Sequence, residues 1–241
     1  MSILNRGRFA ARLASGDADL GHALALRRLC FRADARPDGD RFDARCRHVL
    51  VEETATGTLV CCFRLLPLTG ARLGESYAAQ FYDLRALAGF EGAMAELGRF
   101  CIHPRWHDAD ILRVAWGAMT RIVDGEGVEM LFGCSSFRGT DPAPYRDSFD
   151  VLAARHLAPP RWRPEIGAAE VVRFAPHSAA PDLGRATRKM PPLLRTYLVM
   201  GGWVSDHAVV DRELETLHVF TGLEIGKVPP TRARLLRAVA G

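Results

Sequence analysis

Apolar positions along this chain recur with two periods, and the changes of period mark out its elements. Over residues 19–33, Leu20, Ala23, Leu24, Leu26, Cys30 and Phe31 fall at helical spacing behind an acidic first turn, which predicts an amphipathic helix. An acidic loop over 36–43 follows. Two apolar stretches, 48–53 and 58–66, are then joined by Ala55-Thr56-Gly57 in the manner of a β-hairpin. Residues 81–84 form a short element. Leu97, Phe100, Cys101 and Ile102 make a further strand, closed by Pro104, which has no N–H to give a ladder. Ile111, Val114, Ala115, Ala118, Met119 and Ile122 line one side of a helix over 110–123. A strand over 128–134, a loop over 135–144 and a helix over 145–156 come next.

Beyond residue 159 the pattern weakens, because prolines at 159, 160, 164, 176, 181, 191 and 192 cut the chain into short pieces. Residues 191–204 are apolar and predict one helix or strand returning to the core; the tail after Pro229 predicts a short, frayed helix. Hairpins and crossovers coexist in this order. The expected fold class is therefore α/β (α+β): a central mixed sheet flanked by helices, forming one domain over 1–241 with a C-terminal extension over 159–241.

Composition adds boundaries. With 241 residues and 48% hydrophobic content the chain can bury a substantial core. No apolar run approaches the roughly 20 residues that span a bilayer. Arg6, Arg8 and Arg12 are not followed by an apolar segment, so no secretory leader is expected. The six cysteines contain no CxxC pair, which favours reduced thiols and a cytoplasmic protein. Net charge is +4, carried almost wholly by arginine. Arg161, Arg163, Arg173, Arg185, Arg188, Lys189 and Arg195 cluster as a face for an acidic protein or anionic headgroups. Aromatic residues are not interleaved with them, which disfavours nucleic acid.

Glu96 and Arg99 interrupt an apolar strand, and burying charge costs several kcal/mol unless it is paired or used. They are a candidate site or an ion pair at a strand mouth. Asp38, Asp40 and Asp43 read as a solvated loop, the reading composition favours; the alternatives are a Ca²⁺ site, without EF-hand spacing, or a receptor for a cationic amine. Ser135, Ser136 and Arg138 follow a strand end, where they can hold a carbonyl or carboxylate. His103 and His107 are four apart, but Pro104 lies between them and no metal site is expected.

Four blocks taken in order carry a family resemblance: Asp40-Arg41-Phe42-Asp43 with Cys46 and His48; Glu96-Leu97-Gly98-Arg99 with Cys101-Ile102-His103-Pro104; Leu131-Phe132-Gly133-Cys134-Ser135-Ser136-Phe137; and Pro191-Pro192-Leu193-Leu194 with Tyr197. With them the chain resembles the ornithine-lipid acyltransferases, relatives of the GNAT acyltransferases and the acyl-homoserine-lactone synthases. Two departures are Phe100, where the family usually has Ser, and a reduced aromatic segment at Phe31-Arg32-Ala33-Asp34.

The resemblance implies a GNAT-like sheet and transfer of a 3-hydroxyacyl group from acyl carrier protein to the α-amine of L-ornithine, giving lyso-ornithine lipid with no cofactor. Glu96 would be the base, and Arg99 its orienter or, with Arg64, a clamp on the acceptor carboxylate. Asp40 and Asp43 would hold the distal ammonium, and Ser135, Ser136 and Arg138 would assist acceptor binding. Backbone donors near Cys101, Ile102 and His103 would meet the oxyanion. Phe100, Phe132 and residues from 191–203 would wall the acyl chain. Arg105, Arg113, Arg161 and Arg163 would dock the acidic carrier, and the amphiphilic product suggests peripheral membrane contact. Three alternatives remain open: glutamine as acceptor, an S-adenosylmethionine-using acyl-homoserine-lactone synthase, and a non-catalytic carrier- or lipid-binding module.

Overall fold

The computed structural model describes residues 2–32, 36–174 and 180–241. Its elements in chain order are β1 (Ser2–Arg6), β2 (Phe9–Leu13), α1 (Asp17–Phe31), β3 (Arg47–Glu53), β4 (Leu59–Leu68), β5 (Tyr82–Asp83), β6 (Ala93–Ile102), α2 (Ala109–Gly125) and β7 (Val128–Arg138). There follow α3 (Arg146–Arg155), β8 (Glu165–Ile166), β9 (Val171–Arg173), α4 (Leu183–Lys189), α5 (Pro192–Val199), β10 (Trp203–Val204), β11 (His207–Asp211), β12 (Thr216–Glu224) and α6 (Pro230–Ala240). The chain divides into two compact units. One comprises Met1–Pro67, Leu97–Val128 and Pro230–Gly241; the other comprises Leu68–Glu96 and Glu129–Pro229.

In the first unit β1, β2, β3 and β4 pair antiparallel in that order, and β4 has the Leu97–Ile102 part of β6 as its next neighbour. The predicted hairpin is β3–β4. The period of α1 survives folding: Ala23 and Leu26 pack on Leu50, Cys62 and Cys101. Cys62 and Cys101 bring their sulfurs to 3.5 Å. Ala33, the expected end of α1, lies outside the described residues, as do Asp34 and Pro176. Asp108 caps α2 by accepting the Asp110 N–H at 2.9 Å, satisfying one of the donors a helix start leaves open.

The tail is not frayed. Instead α6 packs on α2, whose Gly117 allows the approach: a Cβ there would stand 2.7 Å from Leu4 Cδ2 and 3.1 Å from Val239 Cγ1.

In the second unit the strand order is β7-β12-β11-β9, all antiparallel, with β10 on β12; β5 and β8 form a separate ribbon. One face of this sheet packs Phe137, Leu217 and Val219 against Phe149, Leu152, Met190 and Leu194. The apolar segment expected over 191–204 splits into α5 and β10 at Gly201 and Gly202. The loop expected from residue 135 begins only after Arg138, because β12 supplies partners for Ser135 (Val219), Ser136 (His218), Phe137 (Leu217) and Arg138 (Thr216).

Replacing Gly117 with Val should cost about 1–3 kcal/mol through overpacking, seen as a lower urea midpoint at unchanged slope.

Candidate active site

The loop of acids is not solvated. Arg27, 1% exposed on the buried face of α1, donates from Nε to Asp38 Oδ2 at 2.8 Å and from Nη1 to Asp43 Oδ1 at 2.6 Å. Asp38 itself is fully buried and also faces Arg32 (3.2 Å) and Arg99 (3.1 Å). Arg64, on β4, binds Asp40 through Nη1 and Nη2 at 2.6 and 2.8 Å and Asp43 through Nη1 at 2.5 Å. Burial alone would raise the Asp43 carboxyl, yet Arg27, the Asp40 N–H and Arg64 hold it down at about 2. The same competition leaves Asp40 below its ordinary value, because hydrogen bonds and charge from Arg64 outweigh desolvation. Burial depresses His48, whose Nε2–H donates to the Asp43 carbonyl at 3.0 Å. Among the described residues, Arg27, Arg32, Arg64 and Arg99 thus meet Asp38, Asp40 and Asp43, with His48 alongside.

These contacts change the role expected of Asp40 and Asp43. Asp40 accepts from Arg64 twice, from Arg99 Nη2 and from the Phe42 N–H; Asp43 accepts from Arg27 twice, from Arg64 and from the Asp40 N–H. A carboxylate offers about four lone-pair positions, so neither keeps one for an ornithine ammonium.

Arg99 is where β6 departs from a regular strand. Its φ is +52°, left-handed and unusual for a residue with a Cβ. Gly98 beside it lets Arg64 pass, since a Cβ there would lie 3.3 Å from Arg64 Nε. Glu96, 4% exposed, accepts the N–H groups of Tyr77 and Ala78, each at 2.7 Å, and so anchors the short turn over Ala78–Gln80.

The remaining expected residues are dispersed. The ring of Phe100 stacks on Phe63 at 5.5 Å. Cys101 faces the α1 core, and the Ile102 carbonyl accepts the Cys30 thiol at 3.5 Å. The N–H of His103 pairs with the Val60 carbonyl at 2.8 Å, which removes it as an oxyanion donor. On β7, Ser135 is buried and accepts the Thr221 hydroxyl at 2.9 Å, while Ser136 and Arg138 are exposed. Among the docking arginines, Arg105 and Arg113 are exposed, Arg113 paired with Asp110 at 2.6 Å. Arg161 is exposed and 3.3 Å from Glu224, whereas Arg163 is half-buried and donates to the Ala158 carbonyl.

Sequence reasoning passed over Arg27, although a charge within the apolar stripe of α1 is a visible signal. Of an aromatic wall in the second unit it named Phe132 and, within 191–203, Trp203, but not Tyr82, Phe220 or His218. Phe132 and Phe220 stack at 5.5 Å, Trp203 stacks on Phe220 at 5.9 Å, and Tyr82 lies edge-on to Phe220 at 5.6 Å. His218 joins the wall, 2% exposed, with Phe81 against its ring at 4.9 Å. Among the described residues no group of three His, Cys, Asp or Glu is arranged to hold a metal, and no helix is long and apolar enough to cross a membrane.

Residues 22–117 match the model of the acetyltransferase (GNAT) domain. An L-ornithine N(alpha)-acyltransferase of Rhodobacter capsulatus is 33% identical over 76% of this chain and 73% of its own. The chain belongs to the L-ornithine N(alpha)-acyltransferase family. A second member, from Brucella abortus, is 29% identical over 94% of this chain and 88% of its own. In fold, the chain is similar to FeeM, an N-acyl amino acid synthase from uncultured soil microbes, with a TM-score of 0.54, 10% identity and 91% and 93% of the two chains covered. The expected mixed α/β GNAT-like architecture is therefore found, and the protein is an acyltransferase.

In this member of the family, Asp38→Asn should cost about 3 kcal/mol or more in urea unfolding, because it strands a buried guanidinium. Asp43 has a folded pKa of about 2, below its ordinary 3.8, so its contribution of about 2 kcal/mol is complete above pH 4 and lost as pH falls through 2. Unfolding free energies measured from pH 6 to 2 should fall more steeply for the wild type than for Asp43→Asn.

Proposed function

We propose that this acyltransferase moves a 3-hydroxyacyl group from acyl carrier protein to the α-amine of L-ornithine, forming lyso-ornithine lipid at the inner face of a bacterial membrane. The observation that carries this reading is the 33% identity to the Rhodobacter capsulatus enzyme over three quarters of the chain. The arginine-rich cluster supports it, since guanidinium groups suit the carboxylate of an amino acid acceptor.

An α-amine is nucleophilic only when neutral, and its pKa is about 8. Glu96 takes the proton, directly or through water, as the amine nitrogen attacks the thioester carbonyl. The C–S bond then breaks, the carrier leaves as a thiol, and an amide remains. Arg64 and Arg99 receive the acceptor carboxylate at the edge of their cluster. Arg105, Arg113 and Arg161 steer the acidic carrier, an effect that salt weakens.

Incubating the protein with 3-hydroxyacyl carrier protein and either ornithine, glutamine or S-adenosylmethionine, then weighing the extracted products, separates the readings. An ornithine amide is expected; a lactone or no thiol release defeats the proposal. Glu96→Gln should lower turnover by about 100-fold or more. Its amide also turns an NH₂ toward a backbone N–H, so thermal melting must be followed in parallel, with Glu96→Asp as a second variant. Asp40→Asn should weaken ornithine and glutamine alike, since Asp40 engages arginines. Selective loss of ornithine would restore an ammonium-binding role.

A further inference from the structure

The aromatic wall of the second unit holds a polar group with nothing to bind. Tyr82 places its hydroxyl 2.8 Å from the His218 carbonyl and 3.1 Å from His218 Nδ1. A carbonyl only accepts, so the tyrosine proton goes there, and Nδ1 must donate to the tyrosine oxygen. That assignment fixes the tautomer: Nδ1 carries the hydrogen and Nε2 presents a bare lone pair. Burial, with His207 nearby, drives the ring's pKa down to about 3, so the lone pair persists at neutral pH. Nε2 is buried and has no hydrogen-bond partner, and the same is true of His207 Nε2 beside Tyr82. A buried acceptor left without a donor costs about 1–3 kcal/mol, which argues for a donor arriving with a ligand.

The surroundings indicate what carries that donor. His218 lies opposite Ser136 in the β7–β12 register, and Ser136 is exposed, so this face meets solvent beside the imidazole. Farther along β7 on the same face come half-buried Cys134 and then fully buried Phe132. A buried acceptor set among aromatic rings, next to an exposed serine, fits an apolar chain bearing one hydroxyl close to its reactive end. We infer that His218 Nε2 accepts the hydroxyl of a hydroxylated acyl donor and is the residue by which the enzyme prefers that donor over an unsubstituted chain. The inference rests on the acyl-transfer reading above and names its donor-selecting group. Sites built to hydrogen-bond a substrate hydroxyl reject the analogue lacking it far more strongly than apolar pockets reject a missing methylene.

The test compares kcat/KM for 3-hydroxyacyl and unsubstituted acyl carrier proteins of equal chain length, with ornithine as acceptor. The wild type should favour the hydroxylated donor by about tenfold or more. His218→Phe keeps an aromatic ring without the lone pair, and the ratio should fall to within about threefold by loss on the hydroxylated donor. A folded variant that retains the wild-type ratio, or loses both donors equally, would overturn the assignment, as would a wild type without preference. Should the variant fail to fold, a 3-methoxyacyl donor offered to the wild type decides the matter. It has no hydrogen to give and should react as poorly as the unsubstituted chain, whereas reaction at the hydroxyacyl rate refutes the role. Absence of transfer from every donor by the wild type would instead remove the acyl-transfer reading itself, and this assignment with it.

Discussion

A guanidinium shut away from water must have its charge matched by neighbours, and in α1 that group is Arg27. Its partners come from the acidic loop that follows: Asp38, buried outright, and Asp43. Once those two are fixed, the loop presents Asp40 to Arg64 and Arg99, and strands β4 and β6 acquire charged groups at places where a sheet would otherwise carry apolar ones. Pairing of this kind adds little net stability over a well-packed apolar core, but loss of one partner is costly because the other is left charged and dry. The cluster therefore specifies a geometry more than it strengthens the fold.

Arg99 shows what that geometry is for. A residue with a Cβ at φ +52° carries strain on the order of 1 kcal/mol or more, and its ion pairs with Asp38 and Asp40 hold it there. The kink turns a guanidinium out of the alternating pattern of β6 and into the acidic loop, with Gly98 leaving room for Arg64. Strand, loop and helix each contribute one component.

Much of this was legible in the sequence where a periodic signal was local. The helices α1 and α2 and the β3–β4 hairpin followed from spacing and turn residues, and Pro104 marked the end of β6. Glu96 and Arg99 stood out as charges in an apolar run. What escaped depended on partners distant in sequence. The solvated reading of Asp38 failed because its arginine lies eleven residues upstream on a helix face that composition alone cannot orient. The strand character of residues 135–138 needed β12, some eighty residues later, and β12 itself was hidden behind a proline-broken stretch. His218 carried no signal at all in isolation; its meaning comes from Tyr82, more than a hundred positions earlier.

The grip of Glu96 on Tyr77 and Ala78 has a mechanical corollary. An anionic oxygen accepts amide hydrogens more strongly than a carboxylic acid does. Whenever this side chain becomes a neutral acid, its hold on the turn over Ala78–Gln80 loosens, and it tightens again on ionisation. Carboxylate and loop are thus fastened to one another, and a spectroscopic label on that turn would register a change at Glu96.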